Sequence, residues 1–366
     1  MKLTLSILVL FVSIICLAQT IPEIELLIEK ELESNSIPAL AVAVIDSGKV
    51  VHISVDGFRD LENEIKAEIN TSFHIASVSK IVTNLAIFIL VESMQIDLES
   101  DINKYLPFEV INPHYPNDKI TIRELLNHRS GIKDDYEFYE QFWNEPKGDP
   151  KIELNIFLYD YLNVNGKYYK KEHFESEPNY KSFSYSNSGV ALLGLIVENI
   201  SNVSYEEFCQ QNIFKPLDMN KTSWFLKNLN INQVAKTYTY NDSLGFEFHG
   251  YNGYPDYPAG QLRTSISDYS KMLTSYLNSE NSKFILNKKT TDKITPIPQI
   301  SQNGFYTWFL ESINNNIYYS HSGGDVGVST TIVIDVTNKN GIVIFANSEH
   351  ELEPLLRAIE TEMWSH

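Results

Sequence analysis

The stretch Phe73-His74-Ile75-Ala76-Ser77-Val78-Ser79-Lys80 runs directly into Ile81-Val82-Thr83-Asn84-Leu85-Ala86-Ile87-Phe88-Ile89-Leu90-Val91-Glu92. The second part is apolar nearly all round, which predicts a buried, central helix. Ser77 stands at its mouth and Lys80 three residues later, so the two side chains share one face about one turn apart. An amine so placed can take up the hydroxyl proton. The Ser77 N–H lies at the positive end of the helix, where an oxyanion can be held. A second Ser-x-x-Lys, Ser130-Gly131-Ile132-Lys133, leads into a charged and aromatic run with no buried-helix pattern. On spacing alone two readings of Ser77 stand open: an activated nucleophile, or a helix-cap serine followed by a first-turn lysine.

Outward from this helix the chain changes character. Upstream, residues 21–35 form an acidic amphipathic pattern ended by Pro38, and residues 39–46 and 49–55 read as a hairpin turned at Ser47-Gly48. The chain is expected to leave the sheet at Gly57. Downstream, Thr121 with Glu124 three residues on is a capping box, and Gly131 stops that helix. Residues 133–180 are a lid-like insertion or short helices. Apolar helices are expected from Val190 and Tyr205, residues 238–257 are expected to be irregular, and a further helix ends at Leu277. The tail reads as strands at 305–311, 316–321, 328–335 and 341–347, then a closing helix at 353–364. This predicts an α+β fold, one compact unit with two subdomains: an α/β part about 21–75 and 300–366, and a helical part about 76–299.

A length of 366 residues suffices for a substantial core, and a net charge of −18 argues against nucleic acid or an anionic membrane as partner. Met1-Lys2 followed by an apolar run over residues 3–18 predicts an export signal cleaved after Ala18, with an uncleaved anchor as the alternative. Residues 19–366 are then the mature, periplasmic or secreted domain, without a stable membrane span. Ser13-Ile14-Ile15 lacks the small residue expected before a lipidated Cys16. Cys209 is the one remaining cysteine, so no internal disulfide is expected. The nine histidines show no metal-ligand spacing, and no cofactor is expected.

A nucleophile needs a proton shuttle. Tyr185-Ser186-Asn187 supplies a phenol, which a nearby ammonium would favour as phenolate, and an amide that can bond Lys80 and a substrate. Tyr161-Leu162-Asn163 and Tyr276-Leu277-Asn278 share the spacing but sit in apolar stretches, where a core tyrosine is the default. His321-Ser322-Gly323-Gly324 lies on an expected strand. Its glycines let backbone approach a ligand, and the Gly324 N–H is a candidate second oxyanion donor. Lys339-Asn340-Gly341 has similar residue types but reads as a hairpin turn.

Ser-x-x-Lys, then Tyr-x-Asn, then His-x-Gly, in this order, resembles the serine β-lactamase and penicillin-binding-protein superfamily, most of all its class C β-lactamase-like members. Residues 120–131, 214–219 and 258–265 add to the likeness, which covers roughly residues 22–350. The resemblance implies an antiparallel β-sheet flanked by helices, an α/β/α sandwich, with an inserted helical subdomain and the site between them. It implies Ser77 as acylated nucleophile, Lys80 and Tyr185 as proton-transfer pair, Asn187 orienting Lys80 and substrate, and His321, Gly323 and Gly324 along the third wall. It also implies a small ester, β-lactam or peptide substrate, with oligomeric state left open. His321 stands where relatives that hydrolyse β-lactams carry lysine, and a neutral imidazole favours esters or peptides over a carboxylate-bearing β-lactam. Gln261 replaces a glycine and is expected to narrow the pocket. The alternative function is a non-catalytic protein that uses the same cleft for peptidoglycan fragments or a partner.

Overall fold

The computed structural model describes residues 22–35, 37–139, 141–142, 148–281, 284–297 and 304–364. The expected export signal over residues 1–18 lies outside them. Helix α1 (Pro22–Asn35) precedes strands β1 (Ala39–Asp46), β2 (Lys49–Asp60), β3 (Ile65–Lys66) and β4 (Ser72–His74). A helical region follows, with α2 (Lys80–Glu92), α3 (Ile122–Leu126), α4 (Tyr136–Tyr139), α5 (Leu154–Leu162), α6 (Asn187–Ser201) and α7 (Tyr205–Cys209). Then come β5 (Thr237–Asn241), β6 (Gly245–Gly250), β7 (Arg263–Ser265), α8 (Ile266–Leu277) and α9 (Lys288–Ile294). The chain closes with β8 (Gly304–Phe305), β9 (Trp308–Ile313), β10 (Asn316–Asp325), β11 (Val328–Asp335), β12 (Asn340–Ala346) and α10 (Glu353–Trp364).

Eight strands form one sheet in the order β3-β2-β1-β12-β11-β10-β9-β8, every neighbouring pair antiparallel. The two ends of the chain meet at its centre, where Ala41 faces Phe345 across the β1–β12 pair. Side chains alternate between two cores, as the period of two requires. Leu40, Val42, Val44, Ile342 and Ile344 pack with Ile24 and Ile28 of α1 and Leu355 and Ile359 of α10. Ala41, Ala43, Ile45, Val343 and Phe345 face the other way, toward Leu85 of α2 and Tyr269 and Met272 of α8. Burial on both faces explains why β1 and β12 read as continuous apolar runs. Each fully buried branched side chain contributes ~1.5–3 kcal/mol. The expected antiparallel sheet with flanking helices is therefore present.

Two details differ from the sequence reading. The chain does not leave the sheet at Gly57: β2 continues to Asp60, because Gly57 adopts φ +91° and a Cβ there would lie 2.1 Å from the Pro38 carbonyl oxygen. Residues 238–257 are not wholly irregular, since β5 and β6 form a hairpin whose alternating tyrosines and phenylalanines pair across strands. Of the described residues in 133–180, the helical ones lie in the short α4, in α5 and in one 3-10 turn. No described helix is long and apolar enough to cross a membrane.

Candidate active site

Strand β4 pairs with β7, and Ile75 N–H donates to the Leu262 carbonyl, so the chain enters the site clamped to a segment far along the sequence. Ala76 then takes φ +43°, a left-handed conformation that costs a non-glycine residue on the order of 1–2 kcal/mol. The turn it makes launches a 3-10 helix, Ala76–Ser79, that runs on into α2. A 3-10 turn has three residues per turn, so Ser77 and Lys80 are eclipsed rather than merely on one face. Neither the 3-10 helix nor α2 has a side-chain cap at its start, so the Ser77 hydroxyl is not a helix cap. It accepts hydrogen bonds from Lys80 Nζ at 2.9 Å and from Tyr185 OH at 2.9 Å.

Lys80 is fully buried, and its second partner is the Ala259 carbonyl at 2.6 Å. Its ammonium nitrogen also lies 4.9 Å from the centre of the Tyr185 ring. The bond expected from Asn187 to Lys80 is not among those of the described residues; Asn187 lines the cleft beside Ser77.

Two residues outside the sequence motifs hold Tyr185 in place. The His128 ring stacks on the Tyr185 ring, 4.4 Å between centres and 26° apart. His128 Nδ1 accepts the Ser186 N–H at 3.2 Å and its carbonyl accepts the Ser184 N–H at 2.8 Å, bracketing the tyrosine on both sides. Its proton therefore sits on Nε2, which is buried and has no hydrogen-bond partner among the described residues. Burial first, then the Lys80 charge and the neighbouring His321 ring, push the His128 pKa down to about 3. Asp134 caps α6: its carboxylate accepts from the N–H groups of Asn187 and Ser188 and from the hydroxyls of Ser188 and Ser186. A carboxylate at a helix N-terminus is favoured by the dipole as well as by these bonds. Burial nonetheless raises its pKa. Asp134 carries no local signal in the sequence, because its partners lie more than fifty residues away.

The third wall is β10. A Cβ on Gly323 would lie 2.7 Å from the Ile75 carbonyl oxygen and 3.0 Å from the Ser77 nitrogen, so the strand approaches the Ser77 turn backbone to backbone. Gly324 has open space where a Cβ would be and lines the cleft. His321 is buried, donates from Nδ1 to the Ser322 carbonyl at 2.9 Å, and leaves Nε2 as a lone pair with no partner among the described residues. Burial first and Lys80 second lower its pKa to about 3, so it is neutral at pH 7. The cleft, about 400 Å³ of open space, is lined by Ala76, Ser77, Asn187, Gly324, Asp256 and Asp325 among others.

Gln261 does not narrow this cleft. It is fully buried, accepting the Tyr254 N–H at 2.6 Å and donating to the Trp224 carbonyl at 2.7 Å. Cys209 is a buried free thiol whose pKa burial drives up, which leaves it unreactive. Among the described residues no cluster of metal-ligating side chains occurs.

A sequence model of the Beta-lactamase family matches residues 24–361. Protein flp of Staphylococcus aureus (strain MRSA252) is 27% identical over 356 residues, covering 94% of this chain; the chain spans only 66% of that relative's length. In three dimensions the chain is similar to the octameric penicillin-binding protein homologue from Pyrococcus abyssi. That match has a TM-score of 0.75 and 22% identity over 95% of this chain and 78% of the other. It is also similar to D-amino acid amidase from Ochrobactrum anthropi SV3, with a TM-score of 0.74 and 17% identity over 94% of this chain and 99% of the other.

Proposed function

The chain belongs to the beta-lactamase family, and from that premise we propose that it is an exported, periplasmic or secreted serine hydrolase that forms an acyl-enzyme on Ser77. The observation that carries this reading is the Ser77 hydroxyl held at 2.9 Å by both an amine and a phenol. The basic member of the Lys80–Tyr185 pair takes the Oγ proton as Oγ bonds to the substrate carbonyl carbon. The carbonyl oxygen gathers the displaced electron pair and is held by the N–H groups of Ser77 and Gly324. The bond to the leaving oxygen or nitrogen then breaks, and the stored proton goes to that atom. Water attacks the ester so formed, loses its proton to the same pair, and releases the acid with Ser77 restored. Asn187 and the neutral His321 orient the substrate.

The bond cleaved is an ester, an amide or a D-amino-acid peptide bond. β-Lactam turnover is slow, because a neutral His321 offers a substrate carboxylate no charge. The test is covalent labelling. Intact mass after a fluorophosphonate or penicillin should show one adduct on the wild type and none on Ser77→Ala. A wild type that takes no adduct and turns over no activated ester would instead be a binding protein using the same cleft.

A further inference from the structure

The Asp325 carboxylate ends β10 and lines the same cleft as Ser77, immediately after Gly324. Its side chain is partly buried, 19% exposed, and among the described residues it makes no ion pair with a lysine or arginine. Oδ1 accepts the Val326 N–H at 2.8 Å and Oδ2 accepts Asn252 Nδ2 at 3.1 Å, which leaves half of its lone pairs unused. The nearest ionisable ring is His74, 4.0 Å away. That ring donates from Nε2 to the Gly260 carbonyl at 2.8 Å, so its Nδ1, without a hydrogen-bond partner among the described residues, turns a lone pair, not a proton, toward Asp325. Burial holds the His74 pKa at about 3, so no charge arises there at neutral pH.

A largely desolvated carboxylate without a cation is costly unless something supplies one. The cleft itself does not: none of its lining residues is lysine or arginine, and Asp256 adds a second acidic side chain. Lys80 is committed to Ser77 and the Ala259 carbonyl. The burial that raises the Asp325 pKa to about 7 is the same deficit seen from the proton's side. An anionic acyl group would meet two acidic residues here, whereas an ammonium would complete Asp325. Asp325 directly follows the candidate oxyanion donor Gly324 and lines the cleft together with Ser77.

Resting on the serine-hydrolase reading of Ser77, we propose that this cleft selects acyl groups carrying a free α-ammonium, and that Asp325 is the residue that recognises it. The substrate class is thus an aminoacyl ester or amide with an unblocked amine, rather than an N-acylated or anionic one. Acylation by such an amide forms the Ser77 Oγ–C bond and breaks the C–N bond. The leaving amine departs with the proton delivered by the Lys80–Tyr185 pair.

The experiment compares kcat/KM for the p-nitroanilides of D- and L-alanine with their N-acetyl counterparts, in wild type, Asp325→Asn and Asp325→Glu. The wild type should favour the free amine in one or both enantiomers. Asp325→Asn should cut the ratio of free to acetylated substrate by ~30-fold or more, as for loss of one partner of a buried charge pair. Asp325→Glu, which keeps the charge, should retain part of the ratio. Fluorophosphonate labelling of Ser77 reports on the site independently. Ser77 labelling together with an equal or better rate on acetylated substrates overturns the amine proposal while leaving the hydrolase reading intact. So does a ratio that Asp325→Asn does not change. Should Asp325→Asn fail to fold, the wild-type preference alone decides. Absence of both labelling and turnover overturns both.

Discussion

Two segments of this chain share the spacing Ser-x-x-Lys and differ in everything that follows from it. At Ser77 the backbone is a 3-10 turn entering a buried helix, so hydroxyl and amine are eclipsed and 2.9 Å apart. At Ser130 the next residue, Gly131, takes φ +72° and Ile132 bridges to Phe174, so the backbone never turns helically. Ser130 Oγ accepts its neighbour Ile132 N–H at 3.3 Å, and the half-exposed Lys133 pairs with Glu175 at 3.6 Å. Spacing brings two side chains together only where the backbone between them is helical. The comparison extends to tyrosine. Tyr185 OH donates to Ser77 Oγ, whereas Tyr276 OH pairs with Thr295 Oγ1 inside the core and Tyr161 OH donates to the Lys133 carbonyl.

Serine replacement sets the two segments furthest apart. Ser77→Ala should lower kcat on an activated ester by on the order of 10⁴-fold or more, as removal of a nucleophile does. Ser130→Ala should leave kcat within about twofold and cost ~1 kcal/mol of stability for its one local bond. Equal losses of activity in the two variants would erase the distinction.

Next in size is removal of a phenol. Tyr185→Phe should reduce kcat by ~10²–10⁴-fold, the span of general acid–base contributions. Tyr276→Phe should cost ~1 kcal/mol in a denaturant titration and little activity. A Tyr185→Phe enzyme with full kcat would remove the phenol from the proton path.

The smallest effect is on stability against pH. His128 and His321 lie near Lys80 with pKa values of about 3, against 6.5 for a free histidine. Between these values the unfolded chain binds protons that the folded one refuses, so stability rises with pH and is lost as pH falls from 6.5 toward 3. Each histidine contributes a slope of about 1.4 kcal/mol per pH unit in that window. Asp325, raised to about 7, acts in the opposite sense: between 3.8 and 7 the folded form holds a proton that the unfolded form releases, so its contribution falls as pH rises. His321→Gln should flatten the acid limb of the urea-unfolding free energy by about one histidine's slope. An unchanged limb would mean that His321 is not shielded in solution as it is here.

Much of the architecture was legible because its signals are local. The apolar runs at β1 and β12, the capping box at Thr121 with Glu124, and the apolar helix after Ser77 follow from side-chain period and short-range hydrogen bonds. The hairpin of β5 and β6 was hidden by a Tyr-, Gly- and Asn-rich composition whose strand character depends on cross-strand pairing. Gln261 read as a pocket residue, because only the packed fold shows its amide spent on Tyr254 and Trp224. Asp134 has no signature in the sequence, because nothing near it in the chain marks a carboxylate that caps a helix some fifty residues later.

Ser77, Lys80, Tyr185, Asn187, His321, Gly323 and Gly324 could be singled out together, by residue type, spacing, order and the family resemblance these carry, though not one by one. Residue type and spacing act within a turn or a strand, and there the chain dictates its own geometry. Only tertiary packing brings Tyr185 to Ser77 across 108 positions and stacks His128 behind it. Packing also sets Asp325 in a cleft whose lining holds no lysine or arginine, because burial and the set of facing groups are properties of segments meeting, not of the segments themselves.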